Sequence, residues 1–174
     1  MRIENELQLD FKDVLIRPKR SFLSSRSEVS LVKNYQFKWA KYKWTGVPII
    51  AANMDTVGTI STAKVLAKHY CMTALHKHYT VEQLVEFFGP KSSDEDKQLL
   101  RENKHAMQHS FYSMGIVDKD LQKFEEVLSK VGYWRHDLPD EENYGIKMVC
   151  IDVANGYMQS FVDFCRKFRE RHPD

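Results

Sequence analysis

Four clusters of polar residues in this chain each follow directly after an apolar run. The clusters are Asn53-Met54-Asp55, His76-Lys77-His78, Ser113-Met114-Gly115 and residues 152–156, and the apolar runs before them are 47–52, 72–75, 111–112 and 148–151. Their carboxylates, imidazoles and ammonium group can bind charged groups or transfer protons. Because parallel α/β proteins place their sites at the carboxyl ends of their strands, we expect one site shared by all four clusters.

A stretch with helical periodicity follows each cluster, so the pattern predicts strand, polar turn and helix, repeated four times. This repeat indicates an α/β fold with a parallel sheet. The 174 residues suffice for one domain, whereas a complete (β/α)8 barrel needs about 250.

The first two units have clear boundaries. The uninterrupted apolar run 47–52 is typical of a strand buried on both faces, and a helix is predicted at 61–70. A second strand is predicted at 72–75. Thr80 and Gln83 have the spacing of a capping box, and Gly89 is placed to end the helix that Thr80 begins.

In the third unit, the charged segment 92–104 predicts a solvated helix and 105–112 a strand. Five apolar residues then share one helical face closed by Gly132: Leu121, Phe124, Val127, Leu128 and Val131. The loop 133–145 joins this helix to the next strand, so it should lie at the end of the fold opposite the site.

The fourth unit contains a predicted strand at 148–151 and the last helix. Five residues are predicted on one face of that helix: Met158, Phe161, Val162, Cys165 and Phe168. Before the first unit, residues 7–44 mix short alternating pieces with basic turns, which predicts a β-rich extension covering the end of the barrel. We therefore predict a single domain, with an N-terminal extension 1–45 and a half-barrel 46–174.

Composition excludes some function classes. The formal charge of +2 does not indicate a nucleic-acid partner. No apolar stretch approaches the roughly 20 residues that span a bilayer, and the first residues lack the apolar core of a signal peptide, so we predict a cytoplasmic protein without membrane contact.

The three cysteines, Cys71, Cys150 and Cys165, form no closely spaced pair and are predicted to be reduced.

Four stretches closely resemble the GMP reductase family: FKDVLIRPKR at 11–20, VPIIAANMDTVGT at 47–59, HKHY at 76–79 and CIDVANGY at 150–157. The resemblance follows nearly the whole chain in order, but it covers only the first half of that family's barrel. It implies the (β/α)8 TIM-barrel fold, here as the first four units plus the extension.

The resemblance also implies an activity. Members of the family are homotetramers that use NADPH to convert GMP into IMP and ammonia, through a cysteine that attacks the purine and forms a covalent adduct. That catalytic cysteine and the family's potassium site are expected beyond Asp174, so no catalytic residue is predicted in this chain. By itself the chain is predicted to be inactive, with the other half of the barrel possible in a separate C-terminal chain.

Cofactor contacts are implied for six residues of this chain: Ser25, Arg26, Lys77, Asp152, Val153 and Ala154. Lys77 could otherwise be an exposed lysine at a loop edge, Asp152 a cap of the last helix, and Arg26 a solvated side chain. Ser25 and Arg26 match a pair that reaches the cofactor of a neighbouring subunit. By analogy with IMP dehydrogenases Met54 is expected near the purine, although a buried methionine more often fills a core.

Two other functions stay open. The chain could be an inactive half-barrel that acts as an oligomerising or regulatory subunit, or part of an IMP dehydrogenase, although residues 80–104 leave no room for that family's usual insertion. His76 and His78 have a spacing found in some metal sites, but no further ligands are evident, so we predict no metal.

Overall fold

The computed structural model describes residues 6–39, 43–90, 97–135, 138 and 143–173. The chain forms two compact units, residues 1–30 and 31–174. The predicted division into an extension and a half-barrel within one domain stays a prediction.

Within residues 6–30 the regular elements are two short 3-10 helices, Phe11–Asp13 and Arg26–Glu28, each begun by a capping box. The prediction of a β-rich extension is wrong for this part of the chain. Its apolar side chains do not pair across strands but stay exposed, and Phe11, Leu15 and Ile16 are 94%, 97% and 97% exposed.

In the second unit, strands β1 (Lys33–Gln36) and β2 (Lys43–Gly46) form an antiparallel hairpin. Trp44 of β2 is buried against Met72, Met148 and Phe111. Met72 and Met148 are the first residues of their strands. The hairpin therefore covers the amino end of the sheet, which confirms that part of the predicted extension.

Four parallel strands form the main sheet in the order β3 (Ile50–Ala51), β4 (Met72–Ala74), β5 (Ser110–Met114) and β6 (Met148–Ile151). Each strand pairs with the next along the chain, so the predicted α/β class with a parallel sheet is confirmed. In the described part of the chain, β3 and β6 each have one strand neighbour and therefore one free edge.

Among the described residues, five α-helices connect and follow the strands: α1 (Ile60–Ala67), α2 (Val81–Phe88), α3 (Lys97–Gln108), α4 (Asp118–Val131) and α5 (Gln159–Arg171). The main core lies between helices and sheet, where Tyr112 of β5 packs between Phe88 and Phe124. The capping box of Thr80 and Gln83 is confirmed, and Gly89 ends α2 by donating its N–H to the Val85 carbonyl at 2.8 Å. Gly132 ends α4 with φ 73°, a conformation that favours glycine.

The predicted first strand at 47–52 is too long, and its burial on both faces is wrong. Strand β3 contains only Ile50 and Ala51, and Ile49 and Ile50 are 59% and 52% exposed. Side chains project from the two faces of a strand, so an apolar run is buried only where other segments cover both faces.

The predicted strand at 105–112 begins too early, because residues 105–108 continue α3. Ala106 and Met107 are fully buried, and the Ser110 hydroxyl donates to the Ala106 carbonyl at 2.7 Å. Packing of this turn against the core therefore extends the helix. The helix predicted at 92–104 is confirmed for residues 97–104, while residues 92–96 lie outside the described residues. Its predicted solvation is wrong at Asn103, which is 6% exposed because the end of α3 packs on the core.

The loop 133–145 is described at 133–135, 138 and 143–145. Trp134 and Asn143 line a cavity of about 290 Å³ together with Trp44 and His109. His109 directly precedes β5, so the cavity lies at the amino end of the sheet. The loop is thus opposite the strand ends that carry the polar clusters, as predicted.

The apolar face predicted for α5 is only partly buried. Phe164 and Phe168 pack against the core, whereas Met158 and Val162 are 38% and 41% exposed. Phe168 contacts Phe124 of α4, with ring centroids 5.2 Å apart. Phe161 and Cys165 are partly buried.

The buried His109 leads to a prediction about pH. His109 is 5% exposed, and burial lowers its pKa, as do His105 and Lys147 to a smaller extent, against backbone hydrogen bonds that raise it. The unfolded chain therefore binds more protons than the folded chain just below the ordinary histidine pKa. We expect the contribution of His109 to the free energy of unfolding to be constant above about pH 7 and to fall as the pH drops below about 6.5.

Urea unfolding at a series of pH values would measure this dependence. His109→Gln should flatten the slope below about pH 6.5, while His69→Gln, at an exposed position, should leave it unchanged. Equal slopes for His109→Gln and the wild-type chain would contradict the prediction.

Candidate active site

The four polar clusters lie side by side along the carboxyl edge of the sheet, because β3 to β6 are parallel and adjacent. Direct contacts join neighbouring turns. The His76 N–H donates to the Gly58 carbonyl at 2.8 Å, and the Asp152 N–H donates to the Met114 carbonyl at 2.8 Å. The structure therefore brings the clusters together as the sequence predicted.

The turns after β3 and β4 also interact through side chains. His78 Nε2 lies 3.1 Å from Asp55 Oδ1, with both side chains more than half exposed, so this pair contributes little stability. The His76 ring stacks on Tyr79 with centroids 4.0 Å apart, and burial lowers the pKa of His76. Tyr79 accepts the Ile60 N–H at 2.8 Å through its hydroxyl and so ties this turn to the start of α1.

Lys77 is exposed at the centre of the second turn. Its backbone carbonyl accepts a hydrogen bond from Lys123 at 2.9 Å. Among the described residues, no ion pair joins the Lys77 ammonium to the Asp152 carboxylate. An exposed ammonium at this edge suits both the predicted cofactor contact and the alternative of a solvated lysine, so the assignment stays a prediction.

Asp152 and Ala154 are exposed and Val153 is half-buried in the fourth turn. Helix α5 begins at Gln159 with Met158 as its N-cap, so the alternative that Asp152 caps this helix is wrong. The Asp152 carboxylate is therefore available at the site edge, and its cofactor role remains a prediction.

Met54 lies in the first turn and is 62% exposed, so the alternative that it fills the core is wrong. Its carbonyl accepts the N–H groups of Val57 and Gly58 at 2.9 and 2.8 Å, which closes a tight turn. An exposed, polarizable thioether at the strand edge suits contact with a flat aromatic ligand.

Gly58 lets the first turn approach the sheet closely. A Cβ at this position would lie 2.2 Å from the Ala74 carbonyl oxygen and 2.8 Å from that of Ala52. Both neighbours are backbone atoms of the sheet edge, so they cannot move away cheaply. We expect Gly58→Ala to lower the free energy of unfolding by about 1–3 kcal/mol, as overpacking does.

Thermal or urea unfolding would measure this loss. Gly156→Ala is the matched control, because a Cβ there would meet nothing closer than Phe161 at 3.9 Å. Equal stability of the two variants would contradict the close packing of Gly58.

Ser25 and Arg26 belong to the first compact unit. The Ser25 hydroxyl caps the second 3-10 helix by accepting the Ser27 N–H at 3.2 Å, and its own N–H donates to Glu28 at 2.7 Å. The Arg26 side chain is exposed. Their predicted contact with the cofactor of a neighbouring subunit stays a prediction.

Helix α4 contributes two residues that the sequence analysis missed. Asp120 Oδ2 accepts the Gly115 N–H at 3.0 Å, and Lys123 donates to the carbonyls of Lys77 and Tyr79. The helical spacing of Asp120, Lys123 and Val127 could have identified these two residues, because it places them on the same face of α4 as Val127, which is buried. Polar residues on the extension of a buried stripe point toward the strand ends.

Cys150 and Cys165 are not activated as nucleophiles. All three are free thiols, and burial raises the pKa of Cys150 and of Cys165. A raised pKa disfavours the thiolate, which is the nucleophilic form. This fits their interpretation as packing residues. In the described part of the chain, no group of three or more His, Cys, Asp or Glu side chains could hold a metal ion.

Taken together, the edge presents an exposed ammonium, an exposed carboxylate and a thioether on turns tied to one another. An ammonium can bind a phosphate or a carboxamide oxygen, and a carboxylate can accept from a carboxamide N–H. The edge therefore offers groups that can bind phosphate and amide groups of a ligand.

Comparison with known proteins gives consistent results. A family model described as IMP dehydrogenase / GMP reductase domain matches residues 8–174. The chain is 47% identical over 173 residues to a GMP reductase of Klebsiella pneumoniae, and 47% identical over 174 residues to one of Yersinia enterocolitica. These matches cover 99% and 100% of the chain but 43% and 44% of the relatives, so the chain spans less than half the length of the curated relatives it matches.

A solved structure shares the fold. The chain superposes on an inosine 5′-monophosphate dehydrogenase from Legionella pneumophila with a TM-score of 0.58 at 22% identity, covering 92% of this chain and 40% of that one. Among the described residues, no helix is long and apolar enough to cross a membrane.

Proposed function

Because the chain belongs to the IMP dehydrogenase / GMP reductase family, we propose that it forms the cofactor-side half of a GMP reductase. The proposed reaction is the NADPH-dependent conversion of GMP into IMP and ammonia. The observation that carries the proposal is the edge formed by four adjacent turns, in a chain whose relatives at 47% identity bear the name GMP reductase.

In this proposal the chain binds and orients the cofactor. NADPH, when bound, supplies the hydride. The Lys77 ammonium attracts its phosphate or carboxamide oxygen, and the Asp152 carboxylate accepts from the carboxamide N–H, with Val153 and Ala154 beside it. Met54 contacts the purine. The nucleophilic cysteine and the potassium site belong to residues outside 1–174.

The open sheet supports the proposal that further strands complete the site. The free edge of β6, helix α5 and the β1–β2 hairpin enclose a largely apolar cleft of about 540 Å³. Phe111, Met148 and Phe168 line it. A further strand and helix fit such a cleft, because they would pair the edge and cover the apolar side chains. Four further units would close a (β/α)8 barrel.

A second candidate is an inactive half-barrel that acts as an oligomerising or regulatory subunit. The exposed Ile49 and Ile50 at the other free edge favour it, since an apolar edge strand readily pairs with another chain. IMP dehydrogenase is disfavoured, because the relatives at 47% identity are named GMP reductase and the IMP dehydrogenase structure is 22% identical.

We place the assembled enzyme, a homotetramer, in the cytoplasm.

One experiment separates these candidates: the intact mass of the purified protein, measured together with NADPH oxidation in the presence of GMP. A mass well above 20.5 kDa or a co-purifying chain, with GMP-dependent oxidation, would support the reductase. A single species of 20.5 kDa without turnover would favour the inactive subunit.

A further inference from the structure

Lys123 reaches from helix α4 to the neighbouring turn after β4. Its Nζ donates to the Lys77 carbonyl at 2.9 Å and also to the Tyr79 carbonyl. These two acceptors flank His78, so one ammonium group spans the tip of the turn that carries Lys77. The donor and the first acceptor are separated by 46 residues, so this is a tertiary contact.

Lys123 is itself held in place. It is half-buried and lies three residues after Asp120, whose carboxylate binds the Gly115 N–H of the turn after β5. Burial lowers the pKa of Lys123, and the Asp120 carboxylate opposes this change and favours the charged form. The start of α4 therefore contacts two of the four site turns through two consecutive polar positions on one helical face.

The other contacts of the turn lie on either side of Lys77. The His76 N–H donates to the Gly58 carbonyl, and the Tyr79 hydroxyl accepts the Ile60 N–H. Among the described residues, the hydrogen bond from Lys123 is the one that reaches the backbone of Lys77 itself. Two carbonyls would lose a charged donor if Lys123 were removed, and hydrogen bonds to charged groups are among the strong ones.

We propose that Lys123 is a positioning residue, which fixes the backbone of Lys77 so that the Lys77 ammonium points at the cofactor. The proposal rests on the proposed function for the role of Lys77. Its structural part, anchoring of the turn by Lys123, is independent of that function.

The test compares three variants of the chain: Lys123→Met, Lys123→Arg and Lys119→Met. Methionine keeps the length of the side chain without its donors, and arginine restores a charged donor. Lys119 lies on the same helix but is exposed, so its replacement controls for the loss of one positive charge. The measurements are amide hydrogen exchange of residues 76–80, the dissociation constant of NADPH, and the unfolding midpoint.

For Lys123→Met we expect amide exchange at 76–80 to rise and NADPH to bind about tenfold more weakly. That change corresponds to the loss of roughly one hydrogen bond between Lys77 and the cofactor. Lys123→Arg should recover most of the affinity, and Lys119→Met should match the wild-type chain. If Lys123 only stabilised the fold, Lys123→Met would lower the unfolding midpoint and Lys123→Arg would not restore the affinity for NADPH. That result would overturn the proposal.

The two proposals fail in different ways. If the wild-type chain does not bind NADPH, the proposed function fails for this chain, and hydrogen exchange alone judges the anchoring by Lys123. Unchanged exchange at 76–80 in Lys123→Met would overturn the anchoring, whatever the chain binds.

Discussion

Replacing Phe124 with alanine should lower the free energy of unfolding by about 3–5 kcal/mol. Phe124 is fully buried in α4, and its ring contacts Tyr112, Phe168 and His172 at centroid distances of 5.2, 5.2 and 5.3 Å. The cavity left by its removal would be lined by these rings, which come from β5 and from the end of α5. Because three elements meet at this ring, they cannot all move to fill the space.

Urea unfolding monitored by circular dichroism would measure the loss. Phe11→Ala is the control, since Phe11 is 94% exposed and its removal should change stability by less than about 0.5 kcal/mol. A loss below about 1 kcal/mol for Phe124→Ala would show that the core around α4 is not packed as described.

Replacing Lys77 with alanine should impair the use of NADPH much more than the binding of GMP. In the proposed function Lys77 makes a charge-assisted hydrogen bond to NADPH, and the loss of such a bond corresponds to about 1.5–3 kcal/mol, or roughly ten- to hundredfold in the KM for NADPH or in the rate of hydride transfer. The reason is the position of Lys77, exposed at the tip of the turn after β4, where the Lys123 contact fixes its backbone.

Steady-state kinetics of the active enzyme with each substrate varied in turn would measure this change. Lys119→Ala, on the exposed surface of α4, should leave both substrates unaffected. A large loss of GMP affinity with normal NADPH kinetics would contradict the assignment of Lys77 to the cofactor.

Local signals in the sequence were sufficient for the parts of the fold that depend on neighbouring residues. The capping box of Thr80 and Gln83, the end of α2 at Gly89 and the end of α4 at Gly132 all involve contacts within a few positions. The parallel sheet followed from the repeated order of apolar run, polar turn and periodic stretch. These features are readable because their physical causes, capping and periodicity, are local.

Errors arose where packing between distant segments decided the outcome. Residues 105–108 are helical because Ala106 and Met107 are buried in the core, although the segment resembles a strand. Ile50 is half exposed because the described segments that pack on the sheet leave its side chain uncovered, which no property of its own sequence reveals.

By itself the sequence determined the α/β class, the family and the four clusters that carry candidate site residues, because apolar periodicity and short motifs lie along the chain. Only the tertiary structure decided which residues hold those clusters in place. Lys123 anchors Lys77 across 46 positions, and Asp120 anchors Gly115 from the following helix. Such contacts depend on how α4 packs against two turns, and that packing follows from the whole core rather than from any local pattern.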